Sequence, residues 1–376
     1  MPAFHLSRPN VATLIAVALV AAGATARAAP ADAALLAAAN AAQPAVIASL
    51  KDMVSIESGS SNAAGLAKMA DYVEARLKAI GARTERVAPA RGPGTMVKGS
   101  FAGSGTKKIM LMAHMDTVYP PGTLASEPYR QDGNKLYGPG IADDKGGIAV
   151  ILHSLAILKD AGWRDYAQLT VLFNHDEEVG STTSGETIAQ LADQHDYVFS
   201  AEPTAAKAIA RTEGILLGTA GTAIARMEVK GRSSHAGVAP DAGRNALIEL
   251  AYQLQQTRDI AKGIPGAQLN WTTAQAGIVG NQIPEKASAG GDVRLTAPDA
   301  ADRLRAALQE KVKAGRLVPD TETTVTLDVG HPPFIANERA RSLARQAQSI
   351  YAELDGRELA LHPMTGGATD AGFAAR

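Results

Sequence analysis

Residues 107–118 read KKIMLMAHMDTV. From Lys107 to Ala113 the run is almost unbroken Ile, Met and Leu, the pattern of a strand covered on both faces. A polar His-x-Asp, His114 and Asp116, follows where that strand ends. Outward from it the pattern repeats. GGIAVILHSLAILKDAG (146–162) is a helix stopped at Gly162, QLTVLF (168–173) a strand, SGETIAQLADQ (184–194) a helix and DYVFS (196–200) a strand. Upstream, helical periodicity covers Ala34–Met53 and Ala64–Ile80. Strands alternating with helices predict an α/β layer with a mixed, largely parallel sheet.

Beyond Gly214 the texture changes. TAIARMEVKG (222–231), NWTTAQAGIVG (270–280), KASAGGDVRLTA (286–297) and ETTVTLDVG (322–330) read as strands. GRNALIELAYQLQQ (243–256) reads as a helix with Leu247, Leu250 and Leu254 on one stripe, and ADRLRAALQEKVKAG (301–315) as a second. Few strands and two helices predict a smaller α+β domain with an antiparallel sheet. After His331-Pro332-Pro333 the helical NERARSLARQAQSIYAEL (337–354) returns to the first layer, so the small domain is an insertion. The expected division is a signal peptide at 1–28, a first catalytic part at 33–213, the inserted domain at 214–330 and the return at 331–376.

Composition narrows the chemistry. The chain has 376 residues, a net charge of −1 and no cysteine. Near neutrality and the lack of basic–aromatic clusters argue against a nucleic-acid partner. Without thiolates, any metal must be held by imidazole and carboxylate. Arg8, an apolar run from Val11 to Ala22, and the A-x-A-like Ala24-Thr25-Ala26 and Ala26-Arg27-Ala28 read as a secretory signal. The expectation is a periplasmic or secreted protein with no membrane attachment once the signal is removed.

Four polar clusters each follow an apolar segment: His114 and Asp116; Asp143 and Asp144 in the Gly-rich YGPGIADDKGG (137–147); Glu177 and Glu178 in HDEEVGS (175–181); and Glu202 in SAEPT (200–204). In open α/β sheets, ligands bind at the carboxyl ends of the strands. Each cluster alone has a plainer reading, such as a helix cap for the Asp pair or a solvated turn for the Glu pair. Together, so many carboxylates at one edge require compensation, and Lys145 is the only nearby cation. A divalent ion is the natural answer: zinc, manganese or cobalt for imidazole and carboxylate donors. Two such ions about 3.5–4 Å apart suit amide or phosphate hydrolysis. One carboxylate of the Glu pair would ligate while the other takes a proton. Asp116 would orient the His114 ring.

MAHMDTV (112–118), YGPGIADDKGG, HDEEVGS, SAEPT and GRSSHAGVAPDAGRNA (231–246) together resemble the co-catalytic zinc hydrolases: aminoacylases, acetylornithine deacetylases, succinyl-diaminopimelate desuccinylases and, most closely, glutamate carboxypeptidases of the carboxypeptidase G type. The resemblance runs from about residue 40 to the end. It implies a zinc-exopeptidase-like catalytic domain and an inserted dimerisation lid at 214–330, hence a homodimer. It implies two zinc ions, one held by His114 and Glu202, a second by Glu178, with Asp143 bridging. Glu177 would be the general base and later acid, with His235 reaching a partner subunit's site to stabilise the oxyanion. Asn281 and Arg294 match lid positions that approach substrate; an ion pair of Arg294 with Asp292 is the other reading. The implied activity is amide hydrolysis releasing a C-terminal amino acid from a peptide or N-acyl conjugate, with N-acyl-amino-acid deacylase or dipeptidase as alternatives.

Two departures stand out. His331 occupies the place before Pro-x-Phe where glutamate-specific relatives carry arginine. The family's last zinc ligand, a histidine, follows the Gly-Gly-x-Thr-Asp loop matched by Gly366–Asp370, and neither His362 nor His153 replaces it by position. On this reading the chain is truncated, its second zinc site is one ligand short, and a catalytically impaired fragment is a further alternative. An exported solute-binding protein would share the layer texture but has no need of the Glu pair.

Overall fold

The computed structural model describes residues 32–203, 214–355 and 358–375; the expected signal peptide lies outside the described residues. Five strands make the first sheet: β1 (Arg83–Val87), β2 (Met96–Ala102), β3 (Lys108–His114), β4 (Gln168–Asn174) and β5 (Tyr197–Ser200), in the order β1-β2-β4-β3-β5. β3 runs parallel to both β4 and β5, while β1–β2 and β2–β4 are antiparallel. The parallel strands are those joined through helices, as a parallel connection demands. β1 and β2 are joined by a short loop and form the antiparallel side.

The unbroken apolar run of β3 is explained by its two covers. Ala113 faces a core built with Met53, Met69, Val73, Leu77, Ile148, Leu152 and Phe173, supplied partly by helices α1 (Ala33–Val54), α2 (Ala63–Ala79) and α3 (Lys145–Asp160). Met110 and Met112 face the opposite core with Met96, Leu172, Phe373 and Ile188 of α4 (Gly185–Ala192). α1 is long and apolar enough to cross a membrane by length and composition alone. Its later turns nevertheless pack on α3, where Ser49 Oγ lies 2.9 Å from the buried His153 Nε2. His153 is thereby a satisfied core histidine.

The second sheet contains β6 (Gly221–Lys230), β7 (Ala267–Ala276), β8 (Lys286–Leu295) and β9 (Glu322–Val329), ordered β7-β8-β6-β9 and antiparallel throughout. Alternation places Ala223, Ala225, Met227 and Val229 inside, against Leu250 of α5 (Ala246–Thr257) and Leu304 and Leu308 of α6 (Ala300–Ala314). The expected leucine stripe on α5 is shifted. Leu250 is buried and Leu254 packs beside it, but Leu247 is 46% exposed. Glu249 and Gln253 take buried positions instead, because the Glu249 carboxylate accepts the N–H groups of Leu317 and Val318.

The chain leaves and re-enters the first layer side by side. Gly214–Leu216 pairs with Ala360–His362, which follows α7 (Glu338–Asp355), and Gly218–Thr219 pairs with Phe334–Ile335, which precedes it. At this crossing His331 and Thr222 exchange contacts: Thr222 N–H donates to the His331 carbonyl at 2.9 Å, and His331 N–H donates to Thr222 Oγ1 at 3.1 Å.

Candidate metal centre

Because β3, β4 and β5 are parallel, their carboxyl ends open on one edge. His114, the last residue of β3, is 1% exposed. Its Nδ1 lies 3.0 Å from the Asp116 backbone oxygen and 3.3 Å from Asp116 Oδ1. A donor at Nδ1 turns Nε2 outward, where Asp143 Oδ1 is 2.9 Å and Glu202 Oε2 3.8 Å away. Asp143 arrives on a loop turned by Gly140, which adopts φ +68°. A Cβ there would stand 2.4 Å from Thr117 Cγ2. Its neighbour Asp144 is buried and accepts the N–H groups of Gly147 and His114, capping α3.

Asp116 does more than orient the imidazole. Fully buried, its Oδ1 accepts Glu177 N–H at 3.0 Å, and its Oδ2 accepts Glu178 N–H at 3.1 Å and the Ser60 hydroxyl at 2.7 Å. One carboxylate therefore ties the ends of β3 and β4 together and fixes the backbone of the glutamate pair.

Glu177 belongs to a second buried group that local sequence did not reveal. Its Oε1 lies 3.2 Å from His331 Nε2, and Asp370 Oδ1 is 3.3 Å from the same nitrogen. That nitrogen is aligned as a hydrogen-bond donor on neither. Asp370 is itself held by Asn174 Nδ2 at 2.7 Å and by the Ser181 hydroxyl. The His331 ring leans on Phe373, centroids 5.7 Å apart.

Among the described residues, the trios whose ligand atoms lie within 4.8 Å of one another are His114, Asp143 and Glu202, and Glu177, His331 and Asp370. Glu178 joins neither. Burial pushes Glu202 up to about 9 and Glu178 up to about 7, each only partly opposed by His114, and it raises Glu177 as well. Asp144 is raised well above the carboxylate range for the same reason. Burial alone would lower His114, yet Asp116, Asp143, Glu202 and Asp144 raise it well above an ordinary histidine. The lysine nearest the cluster does not compensate: Lys145 is buried, its Nζ donates to the Ile56 and Pro139 carbonyls, and burial brings it down to about 8. Crowded, desolvated carboxylates beside an imidazole, with no thiolate, fit a divalent cation of the zinc, manganese or cobalt kind.

The residues expected from the inserted domain belong to neither trio. His235 pairs through the short Ser234–His235 segment with Gln282–Ile283, and Ala236 N–H donates to the Asn281 carbonyl. Both His235 and Asn281 are exposed. His235 Nδ1 accepts from Gly237 and Val238 N–H, which leaves Nε2 as the donor. Arg294 grips Asp292 with Nε and Nη2, both at 3.0 Å, and offers Nη1 to the Gly366 carbonyl at 3.3 Å. Of the two readings of Arg294, the ion pair is therefore formed in this structure.

The model of the family described as "Peptidase family M20/M25/M40" matches residues 110–376. Carboxypeptidase G2 of Pseudomonas sp. (strain RS-16) is 42% identical over 375 residues, covering 100% of this chain and 88% of that protein. Among solved structures, an M20 family metallo-carboxypeptidase from Sulfolobus solfataricus superposes with a TM-score of 0.70 at 15% identity, over 87% of each chain. Human carnosine dipeptidase 1 does so at 0.69 and 16%, over 92% of this chain and 90% of that one. The chain belongs to peptidase family M20/M25/M40, and its fold is the mixed α/β fold of those peptidases.

Proposed function

We propose that this family member is an exported, zinc-dependent carboxypeptidase that cleaves an amide bond and releases a C-terminal amino acid, of the glutamate type, from a peptide or N-acyl conjugate. The observation that carries this reading is the juxtaposition of the His114–Asp143–Glu202 trio, built on a buried imidazole, with a glutamate pair whose backbone is pinned by Asp116. Full-length similarity to carboxypeptidase G2 supports the substrate class.

His114, Asp143 and Glu202 would hold one ion, and Asp143 with Glu178 a second. When bound, such ions polarise a carbonyl and acidify water. Glu177 accepts the proton of the attacking water and returns it to the departing amine nitrogen. Its buried carboxyl, raised above the usual range, suits both roles. His235 offers Nε2–H to the developing oxyanion. Since His235 and Asn281 are exposed and belong to neither trio of their own chain, they would serve the site of a second copy. A homodimer through residues 214–330 is supported by exposed apolar side chains there, Ile278 at 94% and Val238 at 81% among them. The division of the chain at 214 and 330 belongs to the same proposal, and so does export, which rests on the apolar run Val11–Ala22.

An N-acyl-amino-acid deacylase or dipeptidase is the second reading, favoured by the engagement of Arg294 with Asp292 and by His331 in place of arginine. Hydrolysis of a panel of folate-type conjugates, N-acyl amino acids and dipeptides decides between the two. Glu177→Gln should keep its metal and lose about 10²–10⁴-fold in kcat; near-normal turnover would exclude Glu177 as the base.

A further inference from the structure

His331 and Asp370 have no part in the mechanism above, yet His331 faces the proposed base, Glu177, and Asp370 faces His331. The histidine is better located than its surroundings require. The backbone on both sides of the ring is fixed to Thr222, and a side chain on the facing Gly221 would collide with the His331 carbonyl at 2.7 Å. The residue is 4% exposed, and its ring is packed on Phe373. Asp370 cannot drift, because Asn174 and Ser181 hold both of its oxygens. Between these fixtures the Nε2 is almost equidistant from Glu177 Oε1 and Asp370 Oδ1, at 3.2 and 3.3 Å. It is a well-formed donor to neither.

A donor fully committed to Glu177 would hold that carboxylate in place and oppose its taking a proton. A donor shared with a second, anchored acceptor behaves differently. It keeps Glu177 in place without committing the imidazole to that carboxylate alone. We infer that His331 is a positioning residue for the base: its Nε2, fixed between Glu177 and the anchored Asp370, aims the Glu177 carboxylate. This rests on the reading of Glu177 as the base. The carboxylate that faces the ring from β4's end is Glu177, and the one from the Thr369–Asp370 loop is Asp370.

The test uses the full, metal-loaded chain with the variants His331→Ala, His331→Gln, Glu177→Gln and the double variant His331→Ala/Glu177→Gln. Misplacing a reacting group by about 1 Å can cost on the order of 100-fold, so H331A should lose about 10–100-fold in kcat. KM and bound metal should stay within about twofold of wild type, the size of effect expected when only transition-state interactions are lost. Gln places an amide donor near the former Nε2, so H331Q should recover most of that loss. H331A should cost nothing more once Glu177 is Gln, because residues acting as a unit are not additive. A fall in bound metal would make His331 a ligand, and a rise in KM at unchanged kcat would make it a substrate contact; either overturns the inference. So does an H331A loss that persists in the E177Q background, or H331A and H331Q losing equally. Thermal melts identify variants that lose activity by unfolding, and H331Q then carries the test alone: wild-type kcat in a folded H331A or a tenfold loss in a folded H331Q refutes it. If E177Q itself keeps normal turnover, it is the reading of the base that fails.

Discussion

Asp116→Asn should damage folding and metal binding separately, and by calculable amounts. Both Asp116 oxygens face donors: Glu177 N–H on Oδ1, and Glu178 N–H with the Ser60 hydroxyl on Oδ2. The site is fully buried. Whichever way the new amide is turned, its NH₂ confronts a backbone N–H about 3 Å away. The Ser60 hydroxyl can rotate; a backbone N–H cannot. One stranded backbone donor and one stranded amide donor cost about 1–3 kcal/mol each, partly relieved by local shifts, so folding should weaken by about 2–4 kcal/mol. Loss of the partner that orients a ligating histidine lowers metal affinity roughly 10–100-fold. At saturating metal that is a further loss of about 1.4–2.8 kcal/mol.

The assay is urea unfolding of chelated and metal-loaded protein. Each half of the molecule has its own tryptophan: Trp163 packs at a tilt against Tyr166 beside the first core, and Trp271 packs against the second. In a Trp271→Phe background, fluorescence follows the first half alone. The folding term appears in chelated protein and the metal term as the difference between the two curves. Chelated D116N within about 0.5 kcal/mol of the parent would refute the hydrogen-bond accounting, since that is the range of ordinary surface substitutions.

Two further perturbations probe the loop and the surface. Gly140→Ala places a Cβ at φ +68°, 2.4 Å from Thr117 Cγ2, which displaces the loop carrying Asp143. Left-handed strain alone costs about 1–2 kcal/mol; equilibrium dialysis should show weaker metal binding together with a lower kcat/KM, and unchanged values in both would refute the loop's role. Glu74 is brought from the ordinary 4.5 to about 2 chiefly by Lys78, then by Arg86 and Thr84. A depressed folded-state value stabilises above the unfolded value and is lost as pH falls from 4.5 towards 2. Glu74→Gln should therefore cost less than about 1 kcal/mol at pH 7, given solvent screening, and nothing below pH 2; a pH-independent difference would refute the assignment.

How far the sequence could be read follows from what each element needs. β3 and β4 announced themselves because burial on both faces demands unbroken apolar residues, and α3 because Gly162 closes it at φ +72°. β1, RTERV, did not: at the sheet's edge it carries Arg86 to Glu74 and Asp71, so its charges pair with α2 and hide any apolar period. His114, Asp143 and Glu202 were legible because strand ends and cap loops put polar residues where apolar runs stop. The main task of Asp116 was not, since its partners are backbone N–H groups that leave no mark on residue identity. Nor was the gathering of Glu177, His331 and Asp370, whose proximity is produced by β6 and β9 returning the chain to the first layer. His331 was visible as a departure from arginine, but its contact with the base depends on Thr222 and Asp370, which no spacing rule connects.

Charge gives the same division a physical meaning. A protein could neutralise its crowded strand-end carboxylates with its own cations, and Lys145 begins α3 next to Asp143 and Asp144. Instead the lysine is bent into the Ile56 and Pro139 carbonyls, where it secures two loops and leaves the acids unneutralised. Glu202 and Glu178 then remain pushed up by burial, a state that a divalent ion relieves more completely than a lysine could. On the other side of Glu177 the opposite choice is made: His331, raised to about 10 by Asp370 and Glu177 against the effect of burial, supplies an internal positive charge. The glutamate pair thus stands between a face that needs an external cation and a face that carries its own. That asymmetry separates the duties of two neighbouring carboxylates, because Glu178 faces Asp143 across the uncompensated side while Glu177 faces His331.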